Sequence, residues 1–261
     1  ISLGLVGSEM CIRDSLNVDG TTGYDALREF DGTFVNTDAA TALGAVALRF
    51  SGTTWDAHAV EKAEWMLKAR VAEDELAAEI RRLARAVRHD SLSSAGSQVS
   101  DTALTEVLVE LVAGMPVYRA DYRSLSRVTA TLIADLAQSP IGFDAAALDL
   151  VAAALAAHGE AAHRFAQVCG AVMAKGVEDT LFYRACRLVA LQEVGGAPGR
   201  FGVSQAEFHL LQDERSRLWP RTMTTLTTHD TKRSEDTRAR MIEISEVPGE
   251  FSQLVDDVFA L

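Results

Sequence analysis

The densest run of chemically capable residues in the chain is Thr227-Thr228-His229-Asp230-Thr231-Lys232-Arg233-Ser234-Glu235-Asp236. It sets an aspartate between a histidine and a Lys-Arg pair, after a β-prone stretch at 221–228 (RTMTTLTT) and before a helical one. Parallel α/β barrels carry their catalytic groups at the carboxyl ends of strands. A carboxylate placed there among donors can hold sugar hydroxyls in bidentate fashion and counter positive charge developing on a ring. The same letters also suit a helix N-terminus, with Asp230 or Ser234 as cap and Glu235 and Asp236 complementing the dipole. Spacing alone leaves both explanations open.

A second run, Met173 to Arg184 (MAKGVEDTLFYR), brings Lys175, Glu178 and Asp179 next to Phe182 and Tyr183. If Lys175-Gly176 breaks a helix, a cation and two carboxylates stand beside two aromatic rings, which is suitable furniture for a carbohydrate subsite. A capped helix start explains the letters as well. The third run is Gly20-Thr21-Thr22-Gly23-Tyr24-Asp25. Its glycines permit a tight loop and Tyr24 offers a flat face for a pyranose ring, yet a plain turn before a helix would read the same way.

The elements that must position these runs are mostly helical. Helical spacing predicts one long helix from 56 to about 89, then a Ser/Gly-rich loop at 89–100 and a helix that Asp101 caps and Gly114 closes. Residues 115–119 read as a buried strand. Further helices are expected at 124–138, 144–157, 160–172, 178–191 after the Lys-Gly break, and from Ser204, with Glu207 in the capping-box position. Residues 221–228 read as a second strand, followed by a helix at 234–244, which makes one βα unit. A last amphipathic pattern, 251–261, has no Gly or Asn cap.

The remaining candidates have ordinary explanations. His58, His89, His158 and His163 show no ligand spacing, so no metal is expected. Arg81, Arg82, Arg85 and Arg88 form one solvated basic face. Trp55, Trp65 and Trp219 read as packing residues, Trp219 being the best of them for sugar contact because it precedes the Asp230 strand.

Composition bounds the rest. The 261 residues, 48% hydrophobic, suffice for one large or two small cores, and a net charge of -12 disfavours nucleic acid and anionic membranes. Three cysteines, Cys11, Cys169 and Cys186, give no disulfide framework and fit a reducing cytoplasm. No apolar run reaches the roughly 20 residues of a spanning helix. Residues 1–15 (ISLGLVGSEMCIRDS) lack the features of a signal peptide and read as non-native, like translated sequencing-adapter read-through, with a native apolar strand or hairpin as the alternative.

The three runs together resemble the maltooligosyltrehalose synthases of the alpha-amylase superfamily, over roughly residues 20–261. The Thr228–Asp236 run is similar to that superfamily's His-Asp motif at the seventh barrel strand, in its synthase form, although Thr227 stands where serine is expected. The Lys175 run resembles the family's lysine-rich signature, as does Glu193-Val194-Gly195-Gly196; Ala185-Cys186 departs from its more polar pair. The resemblance implies a partial TIM barrel, α/β in class, with helical insertions at about 56–170 that leave this chain mostly α-helical. It implies Asp230 as the third catalytic carboxylate, and His229, Lys232, Arg233, Lys175, Glu178, Asp179 and Tyr24 as substrate-binding groups, with no cofactor. The nucleophilic aspartate and the general-acid glutamate would lie upstream. A chain truncated at both ends, inactive and poorly stable by itself, is therefore expected. The implied substrate is a maltooligosaccharide, whose reducing-end α-1,4 bond is isomerised to an α,α-1,1 bond. An amylase-type hydrolase and a non-enzymatic helical binding module are the rival readings.

Overall fold

The computed structural model describes residues 23–91, 99–118, 126–218 and 220–261. The run 1–15, the first residues of the Gly20 run, most of the loop expected at 89–100, residues 119–125 and Trp219 lie outside them. In chain order the helices are α1 (Tyr24–Thr33), α2 (Ala40–Ser51), α3 (Ala57–Glu73), α4 (Ala77–Asp90), α5 (Asp101–Gly114), α6 (Ser126–Ala137), α7 (Ala145–Ala156) and α8 (Glu160–Val172). A π-helix (Met173–Leu181) follows, then α9 (Gln205–Leu218), α10 (Glu235–Ile242) and α11 (Pro248–Phe259). Among the described residues there is no strand, and no single helix is long and apolar enough to cross a membrane.

The chain divides into two compact units, one holding Glu64–Val177 and the other the described parts of Val18–Ala63 with Glu178–Leu261. The first is a helical bundle around Ile80, Leu83, Leu104, Leu108, Leu111, Val151 and Phe165. Helix α4 shows why it forms: Ile80, Leu83, Ala84 and Val87 fall on one face and are buried, while Arg81, Arg82 and Arg85 fall on the other. Arg88 does not stay on that solvated face. Its guanidinium donates to the Val99 carbonyl (2.8 Å) and to Asp101 (2.6 Å), tying the end of α4 to the start of α5. Lys68, almost fully buried, donates to the Met115 carbonyl at 2.6 Å and lies 3.4 Å from Glu64; burial pulls its pKa down against that carboxylate.

Several sequence expectations are corrected here. The long helix expected at 56–89 is two, α3 and α4, separated by a turn at 74–76 where the Leu76 N–H reaches back to the Val71 carbonyl at 2.9 Å. Ser100, not Asp101, caps α5 by accepting from the Ala103 N–H at 3.1 Å, and Gly114 is the last helical residue rather than a left-handed stop. The helix expected from 144 is present as α7, which Asp144 caps by accepting from the Ala147 N–H at 2.9 Å. Trp65 is exposed rather than part of the core. No break occurs at Lys175-Gly176, because the π-helix runs through it and Gly176 lies buried against the backbone of Leu67 and Lys68. The helix expected over 178–191 ends at Arg184; Leu188 is extended and buried among Val35, Leu43 and Ile242, so core packing overrides the helical period there.

Both strand readings fail among the described residues. Residues 115–118 and 222–225 carry no ladder, and β-propensity acts only where a neighbouring strand supplies hydrogen bonds and side-chain pairs. The order around Asp230 is thus extended segment, turn, helix.

The second unit is held by buried ion pairs as much as by apolar contact. Its apolar cluster is Val35, Ala39, Leu43, Leu188, Ala190, Leu191 and Ile242. Helix α1 is fixed to α9 through Glu29, which is 1% exposed and accepts from Arg215 (3.1 Å to each carboxylate oxygen) and Gln212 (2.6 Å), and through the Phe30 and Phe208 rings, 6.1 Å apart. Ser204 opens α9 by accepting from the Glu207 N–H at 3.2 Å. Gly23 enters α1 in the left-handed region (φ 57°), and a Cβ there would lie 2.6 Å from Thr222 Cγ2 and 3.0 Å from the Met223 carbonyl oxygen. Gly23→Ala is therefore expected to lower stability by more than about 1 kcal/mol, read as a drop in melting temperature, since strain and a backbone clash coincide. An unchanged melting temperature would contradict it.

Candidate functional site

The Thr227–Asp236 run is a loop stitched to itself and then to its surroundings. Thr231 Oγ1 donates to the Thr228 carbonyl (2.8 Å) and accepts from the Thr228 N–H (3.2 Å), while the Asp230 N–H donates to Thr228 Oγ1 (3.2 Å). These bonds form a tight polar turn with Asp230 at its tip. Five residues on, helix α10 begins, and Thr227 Oγ1 accepts its first N–H, from Glu235, at 3.1 Å. Thr227 also donates to the Glu235 carboxylate at 3.2 Å. Ser234 makes no capping bond, its hydroxyl pairing instead with Thr237 at 2.9 Å. The capping explanation of Asp230 and Ser234 is thereby removed: a threonine of the extended segment has that task.

The Asp230 carboxylate points away from the helix. Its Oδ2 accepts from the Tyr24 hydroxyl at 2.8 Å and lies 3.2 Å from His229 Nε2. Burial raises the Tyr24 pKa, and the hydrogen bond to Asp230 together with the charges of Asp230 and Glu178 adds to it, because phenolate would face two carboxylates. Tyr24 remains a donor across the neutral range. His229 is largely exposed, with 84% of its side chain accessible.

Two further groups flank the tip. Lys232 Nζ lies 3.1 Å from Asp179 Oδ1. Burial pulls the Lys232 pKa down, but the Asp179 bond and charge, with Tyr183 and Glu178 nearby, outweigh it and the net shift is upward. On the other flank Glu193, 3% exposed, accepts the Lys232 backbone N–H at 2.6 Å through Oε2 and pairs with Arg233 Nη1 at 3.2 Å through Oε1. Arg233 Nη1 also donates to the Gln192 carbonyl at 3.3 Å.

Beneath the turn lies Arg238, fully buried on α10. Its Nε pairs with Asp31 of α1 at 2.7 Å, Nη1 donates to the Arg233 carbonyl at 2.5 Å, and Nη2 donates to the Leu226 carbonyl. One guanidinium thus holds both ends of the loop. Burial raises the Asp31 pKa against the lowering effect of Arg238, with Glu193 adding to the rise.

Of the residues singled out from sequence, Tyr24, Glu178, Asp179, His229, Asp230, Lys232 and Arg233 come together in one unit, with Glu178 felt through its charge by both Tyr24 and Lys232. Lys175 is exposed on the π-helix and belongs to the Glu64–Val177 unit. Sequence reasoning gave Tyr24 a stacking face, whereas the structure uses its hydroxyl. It missed Arg238 and Asp31 and left Glu193 without a task. A signal for Arg238 existed: it stands one helical turn before the buried Ile242, on the same face of α10.

No family model matches the chain. A provisionally named maltooligosyl trehalose synthase of Mycobacterium tuberculosis is 40% identical over 257 residues, 98% of this chain and 32% of that protein. The maltooligosyltrehalose synthase structure from Arthrobacter ramosus superposes with a TM-score of 0.79 at 39% identity, covering 94% of this chain and 31% of that one. A provisionally assigned maltooligosyl trehalose synthase from Sulfolobus tokodaii, 23% identical with a TM-score of 0.67, shares the fold over 92% of this chain and 29% of its own. The chain spans about a third of the length of the relatives it matches. In sequence and in fold, then, nearly all of this chain is similar to one stretch of the maltooligosyl trehalose synthases.

Proposed function

We propose that this chain is a segment of a maltooligosyl trehalose synthase, a cytoplasmic enzyme that isomerises the reducing-end α-1,4 bond of a maltooligosaccharide to an α,α-1,1 bond. Its complete fold would be a TIM barrel of the alpha-amylase type, in which the helical segments of this chain are insertions. The observation that carries the reading is the Asp230 turn, a carboxylate held by Tyr24 and His229 beside Lys232 and Asp179, in a chain 40% identical to a protein of that name.

In this reading Asp230 grips sugar hydroxyls and stabilises the oxocarbenium-like transition state, while His229 binds the sugar beside it. The nucleophile and general acid come from elsewhere in the protein, and a glycosyl-enzyme intermediate forms and is resolved with retention. The reaction succeeds only if the released glucose turns and attacks through its anomeric hydroxyl before water does. Lys232, held by Asp179 with its ammonium charge favoured, and Arg233, Glu178, Asp179 and Tyr24 supply the polar contacts that retain that glucose. No cofactor takes part.

The test is incubation of a full-length protein carrying this segment with maltopentaose, followed by product chromatography. A trehalose-capped sugar of unchanged mass is the expected product. Maltose and smaller maltooligosaccharides alone would turn the assignment to an amylase-type hydrolase, and no turnover at all would favour a binding module.

A further inference from the structure

We infer that Glu193 is the positioning residue for the Asp230 turn, an inference that rests on the reading of Asp230 given above. Three observations converge on it. The Glu193 side chain is 4% exposed, and both its carboxylate oxygens are spent on the same short arm of chain: Oε2 on the Lys232 N–H at 2.6 Å, Oε1 on the Arg233 guanidinium at 3.2 Å. That arm is separated from Asp230 by Thr231 alone, so the bond to the Lys232 N–H fixes the chain two residues beyond the carboxylate's own Cα. The second observation is the way Glu193 is presented. Glu193-Val194-Gly195-Gly196 is a turn closed by the Gly196 N–H on the Glu193 carbonyl at 2.7 Å, with Gly195 at φ 78°, which places a glycine where such a turn needs a positive φ. A Cβ on Gly196 would lie 2.6 Å from the Glu193 carbonyl oxygen and 3.0 Å from that of Leu191, so the turn tolerates no side chain there.

The third observation is chemical. Asp179 and Glu178 already place negative charge around Lys232, and another carboxylate reaching the reacting groups would add repulsion. Glu193 instead faces a backbone donor and a guanidinium, and its charge is felt beneath the turn, where it adds to the rise in the Asp31 pKa. Buried and doubly engaged, it acts through the loop and touches no substrate. A carboxylate accepting a backbone N–H and an arginine is a charge-assisted, directional clamp, and misplacing a catalytic group by about 1 Å can lower turnover about a hundredfold.

The experiment uses a full-length synthase carrying this segment, with Glu193→Gln, Glu193→Asp, Gly196→Ala and Asp230→Asn measured side by side for kcat, KM and amide hydrogen exchange at Lys232. Glu193→Gln is expected to lower kcat by about one to two powers of ten with KM changed by no more than about twofold, because the misaimed carboxylate matters most in the transition state. Glu193→Asp, which keeps the charge but falls one methylene short, should lie between it and wild type. Gly196→Ala leaves the carboxylate in place yet must shift the turn, so it should lower kcat in the same direction; it also keeps the inference open to refutation should Glu193→Gln fail to fold. Exchange at the Lys232 amide should accelerate in each variant of the clamp. Wild-type kcat in Glu193→Gln beside an inactive Asp230→Asn would overturn the inference, as would a rise in KM alone. If Asp230→Asn itself turned over normally, the functional reading would fail instead, and unchanged Lys232 exchange in Glu193→Gln would then overturn the positioning as well.

Discussion

Asp230→Asn in a full-length synthase carrying this segment is expected to reduce turnover by two to three powers of ten while leaving the melting temperature almost unchanged. The amide is nearly isosteric with the carboxylate and can still accept from the Tyr24 hydroxyl, so the turn and most ground-state contacts survive. What it loses is the negative charge, which matters only as the sugar ring becomes cationic. Loss of one preorganised electrostatic contact of this kind typically raises the barrier by roughly 3 to 4 kcal/mol, and each 1.4 kcal/mol is about a factor of ten. Thr231→Ser is the matched control, since serine keeps the hydroxyl that donates to the Thr228 carbonyl. The measurement is kcat and melting temperature of both variants, and an Asp230→Asn protein with more than about a tenth of wild-type turnover would remove Asp230 from the catalytic set.

The alternative that competed with this expectation from sequence, a helix cap, foresaw no change in rate because asparagine caps as well as aspartate. Geometry disposes of it without kinetics. The first N–H of α10 is taken by Thr227, and the Asp230 side chain is turned toward Tyr24, 206 positions away in the chain.

That separation explains what could and could not be read in advance. Helices such as α7 and α8 were legible because their signals are local: Ala/Leu-rich runs at helical spacing, one from Asp144 and one that begins at Glu160. The two strands were misread because β-structure is a property of pairs, and the Thr-rich stretch before Asp230 is paired with no strand among the described residues. The Lys175-Gly176 break was misread for a related reason, since a glycine that permits close packing against Lys68 looks the same in sequence as one that ends a helix. At the site, the residue types with exposed chemistry stood out, whereas the groups that aim them did not. Glu193, Asp31 and Arg238 are charged residues at buried positions, and nothing local announces that a charge 40 or 207 positions away will neutralise them.

Arg238 is where that hidden support is most exposed to test. Arg238→Met fills much the same volume but removes the partner of Asp31 and the donor to the Arg233 and Leu226 carbonyls. Breaking a buried pair from one side leaves an uncompensated charge and typically destabilises by about 3–5 kcal/mol, enough to melt the unit that carries the site. The effect has a signature in pH. Burial already raises the Asp31 pKa above its ordinary value of 3.8, and Arg238 is the group that opposes the rise, so without it the folded-state pKa moves higher still. A carboxyl whose folded pKa exceeds its unfolded one favours the folded state fully below the unfolded value and loses that contribution as pH rises through the folded one. The deficit of Arg238→Met should therefore be greatest at neutral and alkaline pH and shrink as pH falls toward the carboxylate range. Adding Asp31→Asn should recover part of the loss at neutral pH, because an amide carries no charge to strand. Denaturant unfolding of wild type, Arg238→Met and the double variant at several pH values reads all of this, and a deficit below about 1 kcal/mol, or one that does not change with pH, would show that Asp31 and Arg238 do not depend on one another.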